Sequence, residues 1–194
     1  MFRHGGARRG AGRPQTSRFV SHAARPRFDG AHAPLHVTLR MHPRVWNLRS
    51  QRGFACVAHA LRAERSRGEL RVVHFSVQGN HVHLVVEAND QATLSRRMQG
   101  FGVRLARRIN VMMGRRRGRV LADRYHARAL RTPREVHRVT RYVLNNHAKH
   151  ARQAGRTAPP IDRYSSWATA AVGPPLTSGP VTWLLESGFQ RAGP

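Results

Sequence analysis

Two histidines in the run GNHVHLVVE, residues 79–87, have the spacing of a paired metal-binding site. If this run is a β-strand, its period of two places His81 and His83 on one face while the intervening apolar residues point to the other face. Two neighbouring imidazoles on a rigid strand can bind a divalent cation. The pattern is equally compatible with two hydrogen-bonded surface histidines in a chain that contains 13 of them.

A second pair of chemically useful side chains occurs in RYVLNNH, residues 141–147. Tyr142 and Asn146 are four residues apart, so on an α-helix they share one side, beside an apolar stripe of Val136, Val139 and Val143. A phenol is a competent nucleophile towards a phosphodiester, and an amide oxygen is a ligand for a hard cation. The alternative is a tyrosine at a helix edge with an asparagine near the helix end.

Four strands and three helices are predicted to position these side chains. Alternating and helical apolar spacings define most of them. Thr132-Pro133-Arg134-Glu135 combines a Thr N-cap, a Pro at the first helical position and a Glu three residues after the cap, which predicts the start of the third helix. The expected strands are 35–40, 70–78, 81–88 and part of 120–130, and the expected helices are 54–65, 94–114 and 132–149.

The order of these elements, β-α-β-β-α-β followed by a helix, predicts an α+β fold with a ferredoxin-like antiparallel sheet and two helices on one face. The strand order usual for this topology is 4-1-3-2, which makes the histidine strand central. Gly79-Asn80 is a two-residue connection of the kind suited to positive φ, and it predicts a tight hairpin between the second and third strands.

The charge of the chain predicts a polyanionic partner. The 194 residues contain 35 Lys and Arg against 9 Asp and Glu, a formal net charge of +26, and Lys149 is the only lysine. Such a charge is unlike the surface of an ordinary metabolic enzyme and attracts nucleic acid or an anionic membrane. The single cysteine, Cys56, excludes a disulfide framework and a cysteine-based zinc site within this sequence.

Three segments are expected along the chain. Residues 1–33 read as a flexible basic arm, residues 34–150 as the folded domain, and residues 151–194 as a Pro/Gly-rich extension that packs on the domain. The expected anchors of that extension are Trp167, Trp183, Leu184 and Leu185. Glycines and prolines interrupt the uncharged run 164–185, and the N-terminus lacks an apolar signal segment, so we expect a cytoplasmic protein that does not insert into a membrane.

Three motifs in order resemble the single-tyrosine transposases of the HUH (His-hydrophobic-His) superfamily, in particular the branch of REP-associated tyrosine transposases. They are GNHVHLVVEA as the histidine strand, ADRYHARALRTPREV as the segment before the last helix, and RYVLNNHAKH as the tyrosine helix. The resemblance covers roughly residues 34–150. One departure is that Asn146 is followed by His147, where many members have proline, so the helix can continue and His147 could compete as a metal ligand.

This resemblance implies that His81 and His83 bind a metal, Mg or Mn, that Asn146 completes the metal site and that Tyr142 is the nucleophile. The implied activity is attack of Tyr142 on single-stranded or hairpin DNA, which forms a 5′-phosphotyrosine link and frees a 3′-OH. It also implies a bacterial, nucleoid-associated protein. The sequence identifies neither the base that activates the tyrosine, nor the DNA recognised, nor whether the chain forms a homodimer.

Phosphate contacts are expected mainly from arginines on and after the second helix, because arginine can fork onto phosphate oxygens. The Gly12-Arg13-Pro14 sequence resembles a small minor-groove hook and adds Arg13 to this set. The other members are Arg96, Arg97, Arg104, Arg107, Arg108, Arg115, Arg116 and Arg117.

Several alternatives stay open at this level. Tyr125 is a rival nucleophile, and Glu87 and His126 are further candidate metal contacts. His36-Val37-Thr38-Leu39 and His81-Val82-His83-Leu84 resemble the paired tetrapeptides of 2H-type RNA phosphoesterases, although the second has His where Thr or Ser is expected. A noncatalytic RNA-binding module has the same topology, but the aromatic strand pattern of such modules is missing.

Overall fold

The computed structural model describes residues 33–153, 155–169 and 175–192. The predicted arm, including Arg13, lies outside the described residues except for its last position. The strands are β1 (Leu35–Arg40), β2 (Leu70–Val77), β3 (His81–Ala88) and β4 (His126–Ala129). The helices are α1 (Gln51–Arg65), α2 (Gln91–Met112), α3 (Pro133–Gln153) and the short α4 (Ser166–Thr169) and α5 (Trp183–Glu186), followed by a 3-10 turn at Gly188–Ala192.

The four strands form one antiparallel sheet in the order β2-β3-β1-β4. This is the predicted strand order, read from the other edge, and β3 is an interior strand as expected. The α+β ferredoxin-like prediction is therefore confirmed. Strand β4 is shorter than the 120–130 region around it, and an isolated bridge between Met41 and Leu121 continues the pairing beyond its start.

The two faces of the sheet bury two separate apolar clusters. On one face, Val82, Leu84 and Val86 of β3 pack with residues of α1 and α2 in the main core. On the other face, Val85 packs with the valines of α3. Because side chains alternate along a strand, this arrangement places His81 and His83 on the α3 side.

The β2–β3 hairpin turns at the predicted residues but with a different backbone. Val77 pairs with Val82 and the Gln78 amide donates to the His81 carbonyl, which leaves Gly79 and Asn80 as the connection. Neither residue has a positive φ, so the expected positive-φ turn is wrong. The Gly79 carbonyl accepts from the Leu48 amide, which ties the turn to the loop before α1. Tertiary contact therefore decides the geometry of this turn.

Local capping explains where the long helices begin. Ser50 and Asp90 accept from the amides of Gly53 and Thr93 at the starts of α1 and α2. At the start of α3, the Glu135 amide donates to the Thr132 hydroxyl, as the predicted capping box requires. The pKa of the Glu135 carboxyl is lowered, first of all by a hydrogen bond from the Arg131 amide. Helix α3 then continues through His147 to Gln153 because no proline interrupts it.

Described parts of the C-terminal extension pack against the domain. Leu184 and Leu185 are buried against α3, whereas Trp167 and Trp183 are 53% and 50% exposed, so the tryptophans are not the buried anchors that we expected. The anchor that the sequence did not identify is Glu87. Its buried carboxylate accepts hydrogen bonds from the amides of Val181 and Thr182 and from the Thr182 hydroxyl.

A buried ion cluster joins α1 to α2. The Glu64 carboxylate, which is fully buried, accepts from Arg97 Nε at 2.6 Å and also from Arg104 Nη2. Burial raises the pKa of the Glu64 carboxyl, and the hydrogen bond and charge of Arg97 act in the opposite direction, as does the charge of Arg104. The two arginines therefore stabilise a carboxylate that the core would otherwise disfavour.

We expect Glu64→Gln to lower the free energy of unfolding by about 3–5 kcal/mol, because it leaves the buried Arg97 guanidinium with only the more distant, half-exposed carboxylate of Glu69, at 3.7 Å. Glu69→Gln is the control for the outer part of the cluster. Its carboxylate, 48% exposed, pairs with the exposed Arg96 at 3.1 Å and lies farther from Arg97, so its loss should cost less than about 1 kcal/mol. Chemical denaturation of both variants measures the difference, and equal effects would refute this account of the cluster.

Candidate active site

His81 and His83 form a compact pair on β3. Their ring centroids are 4.7 Å apart and the rings are nearly perpendicular, at 85°. His83 is buried at 5% exposure, while His81 is partly exposed and its Nδ1 contacts Asn80 Oδ1 at 2.7 Å. Because the opposite side of β3 is core, the backbone that carries the pair is held rigidly.

Tyr142 reaches the same point from α3. Its hydroxyl is 3.5 Å from His83 Nε2, and the two ring centroids are 5.2 Å apart. Val139 and Val143 pack against Val85 and so fix the helix above β3. The tyrosine itself is 38% exposed, so a substrate can approach its hydroxyl. The structure thus brings together the predicted nucleophile and one of the two predicted histidine ligands.

Two residues of strand β1 contact the Nδ1 side of the His83 ring. Thr38 Oγ1 and His36 Nε2 each lie 3.2 Å from His83 Nδ1, and the His36 and His83 rings stack with centroids 5.2 Å apart. These contacts occupy Nδ1 and leave Nε2 directed towards Tyr142. A partner on one ring nitrogen fixes the orientation and tautomer in which the other nitrogen can bind a metal or a proton.

The role of His36 and Thr38 depends on strand register, which the sequence did not specify. Thr38 pairs with His83, and His36 pairs with Val85. The 2H alternative places His36 and His81 on one open face of neighbouring strands. Strands β1 and β3 are neighbours, and the rings of His36 and His81 both lie beside the His83 ring, on one face of the sheet. The pairing partner of His36 is four residues from His81, about 13 Å along the strand, so the two histidines are separated by His83.

Asn146 lies one helical turn after Tyr142 on α3, between two residues that contact the histidine pair. Tyr142, four residues before it, contacts His83, and His150, four residues after it, lies with its ring centroid 6.0 Å from that of His81. Residues at this spacing share one side of a helix, so Asn146 lies between these two contacts. Its side chain is 1% exposed, and neither its Oδ1 nor its Nδ2 has a hydrogen-bond partner among the described residues.

His147 lines one cavity with His81 and His150, and its Nε2 contacts the C-terminal extension. Its Nε2 contacts the Pro159 carbonyl at 2.8 Å, and its Nδ1 is 3.9 Å from an Asp162 carboxylate oxygen. Asp162 in turn forms a two-fold hydrogen-bonded pair with Arg49. His147 therefore ties α3 to the C-terminal extension, and its Nε2 is not free to compete with Asn146 as a ligand.

The histidines at this site are held in their neutral form. Burial lowers the pKa of His83 to about 3, and the nearby rings of His81, His36 and His150 add to the effect. Burial lowers the pKa of His36 to about 4, with further contributions from Arg128 and His126. The pKa of His81 is also lowered, by burial first and then by His150 and Arg40. A neutral imidazole keeps the lone pair that binds a metal.

The donor set fits a divalent cation. Two neutral imidazoles lie side by side, and the buried amide of Asn146 has unsatisfied polar atoms, which is a costly arrangement unless a further group satisfies them. Among the described residues no group of three His, Cys, Asp or Glu side chains forms a metal site by itself. A metal held by this pair would take any third protein ligand from another group, such as the amide oxygen of Asn146.

Two of the three rival residues, Tyr125 and Glu87, have other partners. The Tyr125 hydroxyl is 3.4 Å from Ser95 Oγ of α2, and the ring packs against the main core, on the sheet face opposite His83. Glu87 is engaged with the amides of Val181 and Thr182. His126 pairs with Thr38, so its exposed side chain lies on the same face of the sheet as His83, close to His36, and it stays a candidate metal contact. Within the described chain, Tyr142 is thus the tyrosine that contacts the histidine pair.

The predicted phosphate-contacting arginines of α2 divide into two groups. Arg97 is buried and Arg104 partly buried, both are paired with Glu64, and Arg96 is paired with Glu69. Arg115 is partly buried and contacts the Met113 sulfur. This placement argues against surface phosphate contacts by Arg97, and phosphate binding by the others stays a prediction. The exposed members that have no carboxylate within 4.0 Å in the described part of the chain are Arg107, Arg108, Arg116 and Arg117.

Lys149 is close to Tyr142. Its Nζ lies 5.8 Å from the centroid of the Tyr142 ring, seven residues earlier on α3. A separation of seven corresponds to two helical turns, so the contact follows from the helix itself.

No helix in the described part of the chain is long and apolar enough to cross a bilayer.

Comparison with known proteins gives a family match. Residues 35–146 match the family described as transposase, IS200 like. The fold is similar to a solved structure described as a REP-associated tyrosine transposase bound to a REP hairpin, with a TM-score of 0.57 and 16% identity over 84% of this chain and 94% of that chain. No curated protein matches the sequence.

A second solved structure is a crystal structure from Deinococcus radiodurans R1 that is named as a candidate transposase. It has a TM-score of 0.44 and 14% identity over 70% of this chain and 100% of that chain. The region that matches the family model is more than half of the sequence and contains the histidine pair, Tyr142 and Asn146.

Proposed function

The chain belongs to the IS200-like transposase family, and from this membership we propose that it cleaves and rejoins single-stranded DNA through a covalent bond to Tyr142. The observation that carries the proposal is the 3.5 Å approach of the Tyr142 hydroxyl to His83 Nε2 beside His81. Family membership supports a DNA-processing transposase, and the geometry supports the tyrosine as its nucleophile.

In the proposed reaction the Tyr142 phenol oxygen forms a bond to the phosphorus of the scissile phosphodiester. The bond from phosphorus to the 3′ oxygen breaks, so the strand leaves a free 3′-OH and the 5′ phosphate stays on the tyrosine. The proton lost by the phenol is balanced by the proton gained by the leaving oxygen. One ester replaces another, so a 3′-OH can later reverse the step and rejoin DNA without an external energy source.

We assign the binding of Mg²⁺ or Mn²⁺ to His81, His83 and Asn146. A cation held there would polarise the non-bridging phosphate oxygens and offset the charge that develops on them. The chain contributes the rest of the site. Thr38 and His36 hold His83 in position through Nδ1, and the packing of α3 keeps the phenol at His83 Nε2.

The proposed substrate is a single strand next to a hairpin. The structurally similar REP-associated transposase has a REP hairpin bound. The experiment that tests the function is incubation with end-labelled hairpin oligonucleotides carrying single-stranded flanks, in the presence of Mn²⁺. A denaturation-resistant protein–DNA adduct, mapped by mass spectrometry to Tyr142, is the expected result.

Asn146→Ala should weaken Mn²⁺ binding at least about tenfold, since even partners outside the ligand shell cost about 10–100-fold in metal affinity when removed. Stability should change little, because the buried amide of Asn146 has no hydrogen-bond partner among the described residues. Asn145→Ala, the exposed neighbour, is the control. Isothermal titration with Mn²⁺ measures both affinities, and an unchanged affinity in Asn146→Ala would remove this residue from the metal site.

A further inference from the structure

One side of α3 is covered neither by the sheet nor by the core. It carries a row of cationic and polar side chains, which we call the cationic stripe. Its members are separated by four, three, four, four and three residues, so they fall on one side of the helix over about 27 Å. All six side chains are exposed. The stripe consists of Arg134, Arg138, Arg141, Asn145, Lys149 and Arg152.

The charges of the stripe are not neutralised within the described residues. No arginine or lysine of the stripe lies within 4.0 Å of a carboxylate there. Glu135, the one acidic residue of α3, pairs with Arg128 instead. The α2 arginines differ, because three of them pair with Glu64 or Glu69.

This arrangement is unfavourable for the helix on its own. Like charges three or four residues apart repel one another, and Arg134 lies in the first turn of α3, where the helix dipole disfavours a cation. A bound polyanion would remove both penalties. The charge pattern is therefore explained better by a ligand than by helix stability.

The stripe is continuous with the nucleophile. Arg134, Arg138, Arg141 and Tyr142 line one open groove of about 600 Å³, together with His137 and Asn145. Lys149 extends the charge past Tyr142 on its other side, with Nζ 5.8 Å from the ring centroid. A strand whose scissile phosphate is at the Tyr142 hydroxyl thus has cations in reach in both directions. The arginines of α2 lie on the opposite face of the sheet.

We propose that this stripe of α3, and not the arginine surface of α2, binds the phosphates of the single strand that carries the scissile bond. The inference rests on the proposed function for the identity of the ligand, a DNA single strand. It assigns the path of that strand across the site, which runs along the solvent-exposed side of α3.

The test compares two triple variants that remove the same number of charges. Arg134→Gln/Arg138→Gln/Arg141→Gln removes three of the five positive charges of the stripe, and Arg107→Gln/Arg108→Gln/Arg116→Gln removes three exposed arginines of the α2 side. The probe is a fluorescent oligothymidine without a hairpin, and its dissociation constant is measured at several salt concentrations. The stripe variant should lose at least tenfold in affinity, and its salt slope should fall by about 2, since each single-strand phosphate contact contributes about 0.7. The α2 variant should retain the wild-type slope.

Equal slopes in the stripe variant and the wild type, or a larger loss in the α2 variant, would overturn the proposal. A covalent adduct assay on the wild type is run in parallel. If the wild type forms the adduct while the stripe variant binds DNA normally, the stripe inference fails and the proposed function stands. If the wild type forms no adduct, the function fails, and the salt slopes still decide whether the stripe binds DNA.

A second measurement needs no variant. Lys149 is the only lysine of the chain, so amine acylation followed by peptide mapping reports on one side chain of the stripe. With the oligothymidine at ten times its dissociation constant, labelling of Lys149 should fall about tenfold, in proportion to the free fraction. Labelling that is unchanged by saturating DNA would contradict the proposal even if the triple variant failed to fold.

Discussion

Tyr142→Phe is expected to abolish the covalent protein–DNA adduct, with a loss of strand cleavage of at least about a thousandfold. The substitution removes the oxygen that would form the bond to phosphorus and leaves the ring and its packing in place. DNA affinity should change by less than about tenfold, because only one hydrogen-bonding group is lost. Adduct formation is read on a denaturing gel, and affinity is read by fluorescence anisotropy with the same oligonucleotide.

Tyr125→Phe provides the matched control for this prediction. Its hydroxyl contacts Ser95 on the opposite face of the sheet, so its loss should leave the adduct intact. Cleavage that persists in Tyr142→Phe would remove the proposed mechanism. Loss of the adduct in Tyr125→Phe alone would move the nucleophile to the other face of the molecule.

His83→Ala is expected to lower Mn²⁺ affinity at least about tenfold and to eliminate adduct formation at Mn²⁺ concentrations that saturate the wild type. The reason is that His83 contacts residues of β1 on one side of its ring and Tyr142 on the other. Its Nδ1 is occupied by Thr38 and His36, and its Nε2 faces the Tyr142 hydroxyl at 3.5 Å. Isothermal titration with Mn²⁺ gives the affinity independently of cleavage.

The two measurements on His83→Ala separate two roles of the same nitrogen. Nε2 can bind a metal or accept the phenol proton, but one lone pair cannot do both at once. Loss of metal affinity supports the ligand role, whereas unchanged metal affinity with a lost adduct would make His83 the base for Tyr142 and contradict the proposed ligand set. His59→Ala, an exposed histidine of α1, controls for unspecific Mn²⁺ binding by histidines.

Strand β3 shows which structural properties can be predicted from the sequence pattern of one strand and which cannot. Alternation along 81–88 predicted correctly that His81 and His83 share a face and that the residues between them are core. It could not reveal the contacts of His83 with His36 and Thr38, because these depend on the register between β1 and β3. Register is fixed by the turns and by the fit of both faces into the core, and neither is encoded in one strand.

The arginines show that the local sequence also does not determine which charges are paired in the fold. The sequence predicted that a helix side rich in arginine would bind phosphate, and it assigned this role to α2. Three of those arginines pair with Glu64 or Glu69, of which Glu64 comes from another helix. The unpaired stripe on α3 has the same helical spacing, and spacing alone does not distinguish it from the α2 arginines, because carboxylates from other parts of the fold decide which arginines are paired.

By itself the sequence determined the order of elements, the face on which each candidate side chain lies and the start of the tyrosine helix at Thr132. These properties follow from period-two and helical spacing and from capping, which act within a few residues. Only the tertiary structure decided which faces meet. The packing of α3 on Val85 brings Tyr142 to His83, ties His147 to Pro159 and leaves the amide of Asn146 buried without a hydrogen-bond partner among the described residues. Such contacts result from many weak interactions between residues far apart in the chain, so no single segment can specify them.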